Sequence, residues 1–345
     1  MTAVLPTHTP ELFAAAVRKA AELLRVGEVV ALPTETVYGL AANAWNPEAV
    51  ARIFAIKRRP ADNPVIVHIA DGAMARRCVS QWTDDADRLA AAFWPGPLTL
   101  VLPRSLAIPD VVTAGGSTVG VRWPSHPFIQ AVIRECGFPL AAPSANLANA
   151  ISPTNAGHVA RALESRIPLI VDGGQAQVGI ESTVVDLTRS PARILRPGVI
   201  HFESLAAVVR VESPDGPRSE KPPEPARSPG QRPVHYAPRA RLVMLRWKTE
   251  TDLVAQLRAR IPPGDWPGVH VLAYHHIPSA AAAARVCVIP HDPEAYARAM
   301  YAEWHRCDEL NARWIVVEAV PESPEWQGIS DRLHRASMGA GPEQA

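Results

Sequence analysis

Short apolar runs alternate with amphipathic segments up to about residue 210, and this alternation limits the folds open to the chain more than any other feature. Apolar runs bounded by turn residues predict buried strands, and apolar positions three or four residues apart predict helices. Residues 11–26 have the helical spacing, and Gly27 follows as a C-terminal cap. The pattern predicts a mixed α/β domain. Strands are expected at residues 29–32, 65–69, 98–102, 119–122, 169–171 and 184–187, and further helices at 47–56 and 156–163.

The composition changes abruptly at residues 213–238, where prolines recur and the sequence Ser228-Pro229-Gly230 occurs. Such a segment does not hold regular structure, so we interpret it as a linker. Beyond it, apolar runs and helical stretches alternate again, which predicts a small βαβ-type domain with a parallel sheet. We therefore expect three parts, at residues 1–212, 213–238 and 239–345. The second domain should have strands at 241–245, 269–274, 286–289 and 314–320, and helices at 250–260, 293–312 and 325–337.

Charge and length exclude several broad classes of protein. The chain has 345 residues and a formal net charge of +1, so any contact with RNA must be local rather than a property of the whole surface. No apolar segment reaches the length of a membrane span, and residues 1–10 lack the pattern of a signal peptide. We expect a cytoplasmic protein without membrane contact.

Cysteine spacing argues against a metal or disulfide framework. Cys78, Cys136, Cys287 and Cys307 have no paired spacing, whereas zinc ribbons and secreted disulfide scaffolds do. Reduced and mostly buried thiols are expected.

The segment from Pro33 to Leu40 is the first candidate for a functional site. Pro33 ends an apolar strand, and two hydroxyls, a carboxylate and a phenol follow before Gly39, which allows close approach of backbone or ligand. A site at the end of a strand is predicted. The alternative is a loop whose hydroxyls cap their own backbone.

Charged side chains supply candidates for anion binding, since no Walker or dinucleotide fingerprint is present. Lys57 and Arg59 are two residues apart, which in extended backbone places them on one face, and guanidinium can grip phosphate oxygens bidentately. A solvated basic turn is the alternative. Arg122 follows an apolar strand, and a buried arginine is costly unless a carboxylate pairs with it, for which a substrate carboxylate would serve.

Two further candidates each have a structural alternative. His68 ends an apolar strand, where a lone histidine is more often structural than catalytic. Ser144 and Asn146 lie in a Pro-Ser-Ala-Asn turn, where short polar side chains often bond their own backbone.

Taken together, these segments resemble the YrdC-like family of threonylcarbamoyl-adenylate synthases in its long, two-domain form. The resemblance covers about residues 10–240 closely and rests on many motifs in one fixed order. It implies a twisted mixed sheet with helices, followed by a smaller Rossmann-like βαβ domain. The motifs occupy residues 32–40, 57–64, 93–100, 118–124, 142–146, 152–154, 172–174, 181–186 and 194–198.

The resemblance implies an enzyme that makes threonylcarbamoyl-AMP from L-threonine, bicarbonate or carbon dioxide, and ATP, with release of pyrophosphate. Mg²⁺ would travel with ATP, and no protein-bound metal is implied. The product would pass to a separate transferase complex that modifies tRNA beside the anticodon, and a weak RNA contact is possible.

The resemblance also assigns roles to individual residues. Catalysis would use Lys57 and Arg59, and residues 213–238 would fold over the site as a lid. L-Threonine would contact Thr36, His68, Arg122, Ser144 and Ser182, and ATP would contact Arg59, Asn63, Thr118, Asn146, Thr154, Arg196 and Tyr236.

Three segments depart from the family pattern. Arg58 stands where the family usually has glycine, residues 147–150 replace a Ser-Gly pair, and residues 231–234 differ in the lid motif. Two other interpretations remain: a double-stranded RNA-binding module of the same fold, and a carbamoyl-transfer protein of the hydrogenase-maturation type. Proteins of the second type carry attached cysteine-rich zinc elements, which this sequence lacks.

Overall fold

The structure is a computed structural model of the chain, and it describes residues 1–213, 236–279 and 282–338. Most of the predicted linker, including Ser228-Pro229-Gly230, lies outside the described residues. The chain divides into two compact units, one formed by Met1–Ala148 and Ser152–Gln231 and the other by Asn149–Ile151 and Arg232–Ala345. The three-part division predicted from composition and the role of residues 213–238 as a lid remain predictions.

The first unit is built around a ten-stranded mixed sheet with the strand order β1-β8-β2-β3-β7-β4-β6-β5-β9-β10. The strands are β1 (Ala3–Pro6), β2 (Val30–Leu32), β3 (Gly39–Asn43), β4 (Val67–His68), β5 (Leu98–Pro103), β6 (Thr118–Arg122), β7 (Leu140–Ala141), β8 (Leu169–Asp172), β9 (Thr183–Asp186) and β10 (Arg193–Arg196). The helices are α1 (Pro10–Arg25), α2 (Pro47–Lys57), α3 (Gly72–Cys78), α4 (Asp84–Phe93), α5 (Asp110–Thr113), α6 (Pro127–Cys136), α7 (Ala156–Leu163) and α8 (Phe202–Ala206).

Helix α1 shows how local sequence sets these elements. The Thr9 side chain accepts a hydrogen bond from the amide of Leu12, Pro10 occupies the first turn, and Gly27 follows the helix with φ +81°. Its apolar face is buried in the core. The predicted helix and its glycine cap are therefore confirmed.

Five strands differ from the prediction: β1, β3, β7 and β10 were not predicted, and β4 is shorter than expected. Strand β1 was not predicted, because it is a largely exposed edge strand without a buried apolar run, and it exists through its parallel pairing with β8. Strand β4 is shorter than the expected 65–69, since the amide of Val65 donates to the carbonyl of Val112, which lies outside the ladder.

The second unit has a four-stranded parallel sheet, as predicted, in the order β11-β14-β12-β13. Its strands are β11 (Arg241–Leu245), β12 (Val269–Ala273), β13 (Arg285–Val288) and β14 (Trp314–Glu318), and its helices are α9 (Glu250–Arg260), α10 (Pro293–Glu309) and α11 (Gln327–Ser337). Short 3₁₀ helices cover Pro263–Gly268 and Pro324–Trp326. The predicted combination of a mixed α/β domain and a smaller parallel βαβ domain is confirmed.

A buried carboxylate fixes one loop of this second unit. Glu318 ends β14 and accepts hydrogen bonds from the backbone amides of Tyr274, His275 and His276, at 2.8–2.9 Å. Burial raises the pKa of Glu318, but these amides outweigh it, and the pKa lies below its usual value. The carboxylate thereby anchors the loop that follows β12.

Among the described residues, the helices are all too short or too polar to cross a lipid bilayer.

Candidate active site

Cross-strand pairing puts several predicted site residues on one face of the ten-stranded sheet. His68 on β4 lies directly opposite Arg122 on β6. Because side chains alternate along a strand, Thr118 and Gly120 share the face of Arg122. Leu140 on β7 also lies opposite His68, and Ser144 follows it at an even spacing and bridges to Gly39. His68, Arg122, Thr118 and Ser144 therefore belong to one face.

The other half of the same face carries Ser182 and Arg196. Thr99 on β5 lies opposite Val184 on β9, and Arg196 on β10 is paired with Val184 as well. The hydroxyls of Thr99 and Ser182 are 2.8 Å apart. The Arg196 guanidinium donates to the carbonyl of Ser182 at 2.9 Å and to its hydroxyl at 3.1 Å. Ser182 and Arg196 thus form one buried unit.

The expectation of a site at the end of a strand stays a prediction. The Pro33–Leu40 segment follows β2, and His68, Arg122 and Arg196 are the last residues of β4, β6 and β10. Alternation along the strands adds Thr118, which is four residues before Arg122 and on the same face. A small cavity on this face lies over Gly120 and is lined by Pro64, Ile66, Thr99, Val101, Thr118 and Val184, among others.

The Pro33–Leu40 segment, called the hydroxyl loop below, fits both interpretations made from the sequence: one of its threonines caps the loop itself, and the other contacts a second candidate residue. Thr34 caps its own loop, since its hydroxyl donates to the carbonyl of Val37 at 2.6 Å. Thr36, in contrast, accepts a hydrogen bond from Arg122 Nη1 at 2.9 Å, across 86 residues of sequence. Arg122 is buried, and its Nη2 lies 2.7 Å from Oε1 of Glu35.

Glu35 is a residue of the candidate site that was not predicted from the sequence. Arg122 was expected to require a carboxylate, and a substrate was proposed as its source, whereas in the structure Glu35 provides one. Its position between the two threonines of the same loop is a sequence signal that could have identified Glu35 as the partner of Arg122. The amide of Ser125 also donates to Glu35 Oε1, at 3.0 Å.

Electrostatics set the charge states of Glu35 and His68. Burial raises the pKa of Glu35, but the Arg122 guanidinium and the Ser125 amide outweigh it, so the pKa lies below its usual value and the carboxyl is ionised. Burial, together with the positive charge of Arg122, lowers the pKa of His68 to about 3. His68 is therefore neutral at physiological pH.

Lys57 secures the loop that carries Ser144 and Asn146. Its amine, at the end of α2, donates to the carbonyls of Ser144 and Asn146, each at 2.5 Å. The side chain is 1% exposed, and burial together with the charge of Arg59 lowers the pKa of the amine well below its usual value. In this arrangement Lys57 is a positioning residue, and its direct role in catalysis remains a prediction.

Arg59 organises the loop before β4. Its Nε donates to the carbonyl of Asn63 at 2.9 Å, and its Nη2 donates to Asn63 Oδ1 and to the carbonyl of Pro64, each at 2.7 Å. Arg58 caps α2 in the left-handed conformation with φ +52°, which explains why a glycine is suited to this position. The geometry of the turn is therefore kept despite the substitution.

Backbone hydrogen bonds join Thr154 to the same group of loops. The carbonyl of Thr154 accepts from the amide of Ala176, and the carbonyl of its neighbour Pro153 accepts from the amide of Tyr38. The carbonyl of Glu35 in turn accepts from the amide of Val178. The Thr154 hydroxyl lies 3.2 Å from His158 Nδ1. Its predicted contact with ATP stays a prediction, as does that of Thr118.

Tyr236 belongs to the second unit, where it is buried against Tyr301, with ring centroids 6.0 Å apart, and beneath the guanidinium of Arg332. Its predicted contact with ATP remains a prediction. Two residues of the divergent segment, Asn149 and Ala150, belong to the same unit: the carbonyl of Asn149 accepts from the amide of Ala237 at 2.8 Å, and Ala150 bridges to Ala237.

Within the described parts of the chain, no group of three or more His, Cys, Asp or Glu side chains is placed to ligate a metal ion. The carboxylates nearest the site, Glu35 and Glu181, are engaged by Arg122 and by the Ser152 hydroxyl. The expectation that the protein binds no metal of its own, and that magnesium arrives with ATP, stays a prediction.

Two family models match the chain in sequence order. The model for Sua5, YciO and YrdC proteins, described as "Telomere recombination", matches residues 22–198. The model described as "Threonylcarbamoyl-AMP synthase, C-terminal domain" matches residues 200–338.

Curated relatives and a solved structure extend the similarity over nearly the whole chain. The threonylcarbamoyl-AMP synthase of Pyrococcus abyssi is 39% identical over 93% of this chain and 94% of its own length. The Bacillus subtilis enzyme of the same name is 40% identical over 98% of this chain and 96% of its own. The crystal structure of P. abyssi Sua5 complexed with L-threonine superposes with a TM-score of 0.85 at 36% identity, covering 98% of each chain.

Proposed function

This chain belongs to the Sua5/YciO/YrdC family, and on that premise we propose that it is a threonylcarbamoyl-AMP synthase. It condenses L-threonine, bicarbonate or carbon dioxide, and ATP, and it releases pyrophosphate. Curated relatives with this name at about 40% identity over nearly the full chain support the proposal, as does the similarity to a Sua5 structure that holds L-threonine.

One structural observation carries the proposal within this chain. Side chains from strands far apart in sequence share one face of the first unit's sheet, and they combine cationic groups with hydroxyls. Guanidinium groups suit phosphate and carboxylate oxygens, and hydroxyls suit the side chain of threonine. A nucleotide beside a small zwitterionic amino acid matches this combination. The residues concerned are His68, Thr118, Arg122, Ser144, Ser182 and Arg196.

The reaction needs positioning more than covalent chemistry from the protein. The threonine nitrogen forms a bond to the carbon of carbon dioxide, giving a carbamate, and a carbamate oxygen then bonds to the α-phosphorus as the bond to pyrophosphate breaks. Holding two anions in line and neutralising the growing charge are the main requirements. In this proposal Arg59 and Arg196 bind the nucleotide, and Arg122 binds the amino acid. Lys57 holds the loop that carries Ser144 in position.

Magnesium enters as part of the Mg·ATP substrate and supplies positive charge to the leaving pyrophosphate. The activated product then passes to a transferase complex that modifies tRNA, and we place both steps in the cytoplasm. RNA contact by this chain itself would be weak and local, since its formal net charge is only +1.

The interpretations as an RNA-binding module or a hydrogenase-maturation protein are not favoured, because the relatives that match nearly the whole chain carry the synthase name. Pyrophosphate release from Mg·ATP and bicarbonate, measured with L-threonine, with L-serine and without amino acid, tests the proposal. We expect release that depends on threonine and is much slower with serine. The proposal would be contradicted by pyrophosphate release at the same rate with and without an amino acid. Salt-sensitive RNA binding without ATP turnover would contradict it as well.

A further inference from the structure

Two buried polar atoms next to Arg122 have no hydrogen-bond partner among the described residues: Glu35 Oε2 and His68 Nδ1. Both side chains are at least nine-tenths buried. Buried polar atoms are almost always hydrogen-bonded in native proteins, so two such atoms beside one guanidinium indicate a position where a ligand supplies the missing partner.

The charge of Glu35 restricts what that ligand group can be. Its carboxyl is ionised, so Oε2 can only accept hydrogen bonds. A ligand carboxylate or phosphate would meet like charge there, whereas a hydroxyl, an amine or an ammonium group could donate. An ammonium group is the best match, because it adds the Coulomb attraction between opposite charges to the hydrogen bond that any donor would make with the ionised carboxylate.

The neighbourhood of Glu35 fits an amino acid better than an isolated cation. Arg122 Nη2 and Glu35 Oε1 are 2.7 Å apart, so a positive and a negative group lie side by side in a buried place. An amino acid carries its ammonium and carboxylate groups on one carbon, so they also lie close together. Each of them can face the protein group of opposite charge. The carboxylate would meet Arg122, and the amine would meet Glu35.

His68 supports this orientation. Its side chain lies opposite Arg122 in the register of β4 and β6. Because His68 is neutral, it adds no positive charge that would repel an ammonium group bound at Glu35.

We infer that Glu35 is a substrate-binding residue whose Oε2 accepts a hydrogen bond from the α-amino group of L-threonine. The inference rests on the proposed function and deepens it, since it assigns a contact to the nitrogen that becomes the carbamate nitrogen. Its consequence is that Glu35 selects for L-threonine over the des-amino analogue, which lacks the α-amino group.

The test compares L-threonine with its des-amino analogue, (R)-3-hydroxybutanoate, which keeps the carboxylate and the hydroxyl. Binding to the full-length protein is measured by calorimetry and, at millimolar concentrations, by ligand-observed NMR. We expect Glu35→Gln to weaken threonine binding by about 10-fold or more and to leave hydroxybutanoate binding within about twofold. Glu28→Gln is the matched control, since Glu28 forms an exposed pair with Arg52 at 3.0 Å in the same unit.

Equal loss of both ligands in Glu35→Gln would overturn the inference, because it would mean that Glu35 acts only by holding Arg122. Unchanged threonine binding would overturn it as well. Should Glu35→Gln not fold, as judged by loss of ATP binding, the unmodified protein decides: it must bind hydroxybutanoate at least about 10-fold more weakly than threonine, and equal affinity refutes the contact. A protein that binds no threonine at all would contradict the proposed function itself.

Discussion

The guanidinium of Arg122 and the carboxylate of Glu35 form a buried ion pair, with Nη2 and Oε1 2.7 Å apart, directly beside the hydroxyl of Thr36. Buried pairs of this kind contribute little net stability while intact, but removal of one partner leaves an uncompensated charge. The pair therefore makes Arg122 and Glu35 sensitive positions for both folding and function.

Replacement of Arg122 by alanine should lower threonine-dependent pyrophosphate release by about 100-fold or more, from loss of a charged contact worth roughly 3 kcal/mol. The same variant should lower the free energy of unfolding, because Glu35 is left buried without its cation. Enzyme assays and urea denaturation measure the two effects. Arg52→Ala, which removes the exposed partner of Glu28, is the control, and near-normal release in Arg122→Ala would exclude Arg122 from the site.

Lys57→Met should loosen the 144–146 loop, because the carbonyls of Ser144 and Asn146 lose their donor. Burying unsatisfied carbonyls costs about 1–3 kcal/mol each, so the melting temperature should fall together with kcat/KM. Lys19→Met is the control, since Lys19 lies on the surface of α1, and it should change neither. A variant with full activity and unchanged stability would show that the loop does not need Lys57.

His68 should make the first unit less stable as the pH falls below 6.5. Its pKa is about 3 in the folded protein against 6.5 for the free side chain, so the unfolded chain binds a proton that the folded chain excludes. Between these values the free energy of unfolding should fall by about 1.4 kcal/mol per pH unit. Urea denaturation at pH 7 and pH 5 measures this slope.

In His68→Gln the slope between pH 7 and pH 5 should be smaller by that amount, whereas exchange of the exposed His8 for glutamine should leave it unchanged. Equal slopes in the unmodified protein and His68→Gln would mean that His68 is protonated in the folded state.

Gly120→Val should block the face of the sheet between Thr118 and Arg122. A Cβ at this position lies only 3.2 Å from Thr99 Cγ2 and 3.5 Å from Ile66 Cγ1, so the added methyl groups must project into the cavity above. We expect kcat/KM to fall by about 10-fold or more, since small displacements of reacting groups are costly. Gly72→Val is the control, because a Cβ there meets no atom within 4 Å. Unchanged kinetics in Gly120→Val would place the substrates elsewhere.

Arg58 should tolerate glycine but not valine. With φ +52°, a side chain at this helix cap carries a strain of about 1 kcal/mol, which glycine removes while adding flexibility to the unfolded chain. Arg58→Gly should therefore change the free energy of unfolding by less than about 1 kcal/mol, and Arg58→Val should lower it by more. Thermal unfolding measures both, and equal effects of the two substitutions would contradict a left-handed cap.

Local sequence was sufficient for much of the fold. Helix α1 has its cap residue, its apolar stripe and its terminal glycine within 20 consecutive residues, so its start and end follow from neighbouring side chains. The parallel sheet of the second unit likewise followed from alternating strands and helices. Strand β1 could not be predicted in this way, because its stability comes from pairing with β8, more than 160 residues away.

The sequence by itself determined which side chains are available for chemistry: the hydroxyl loop, the arginines that end or precede strands, and the turn with Ser144 and Asn146. Only the tertiary structure decided that they share one face of the sheet, that Lys57 holds a loop, and that Glu35 is the partner of Arg122. The physical reason is that motifs depend on neighbours along the chain, whereas charge pairing and strand register are set by contacts between segments from about 90 to more than 160 residues apart.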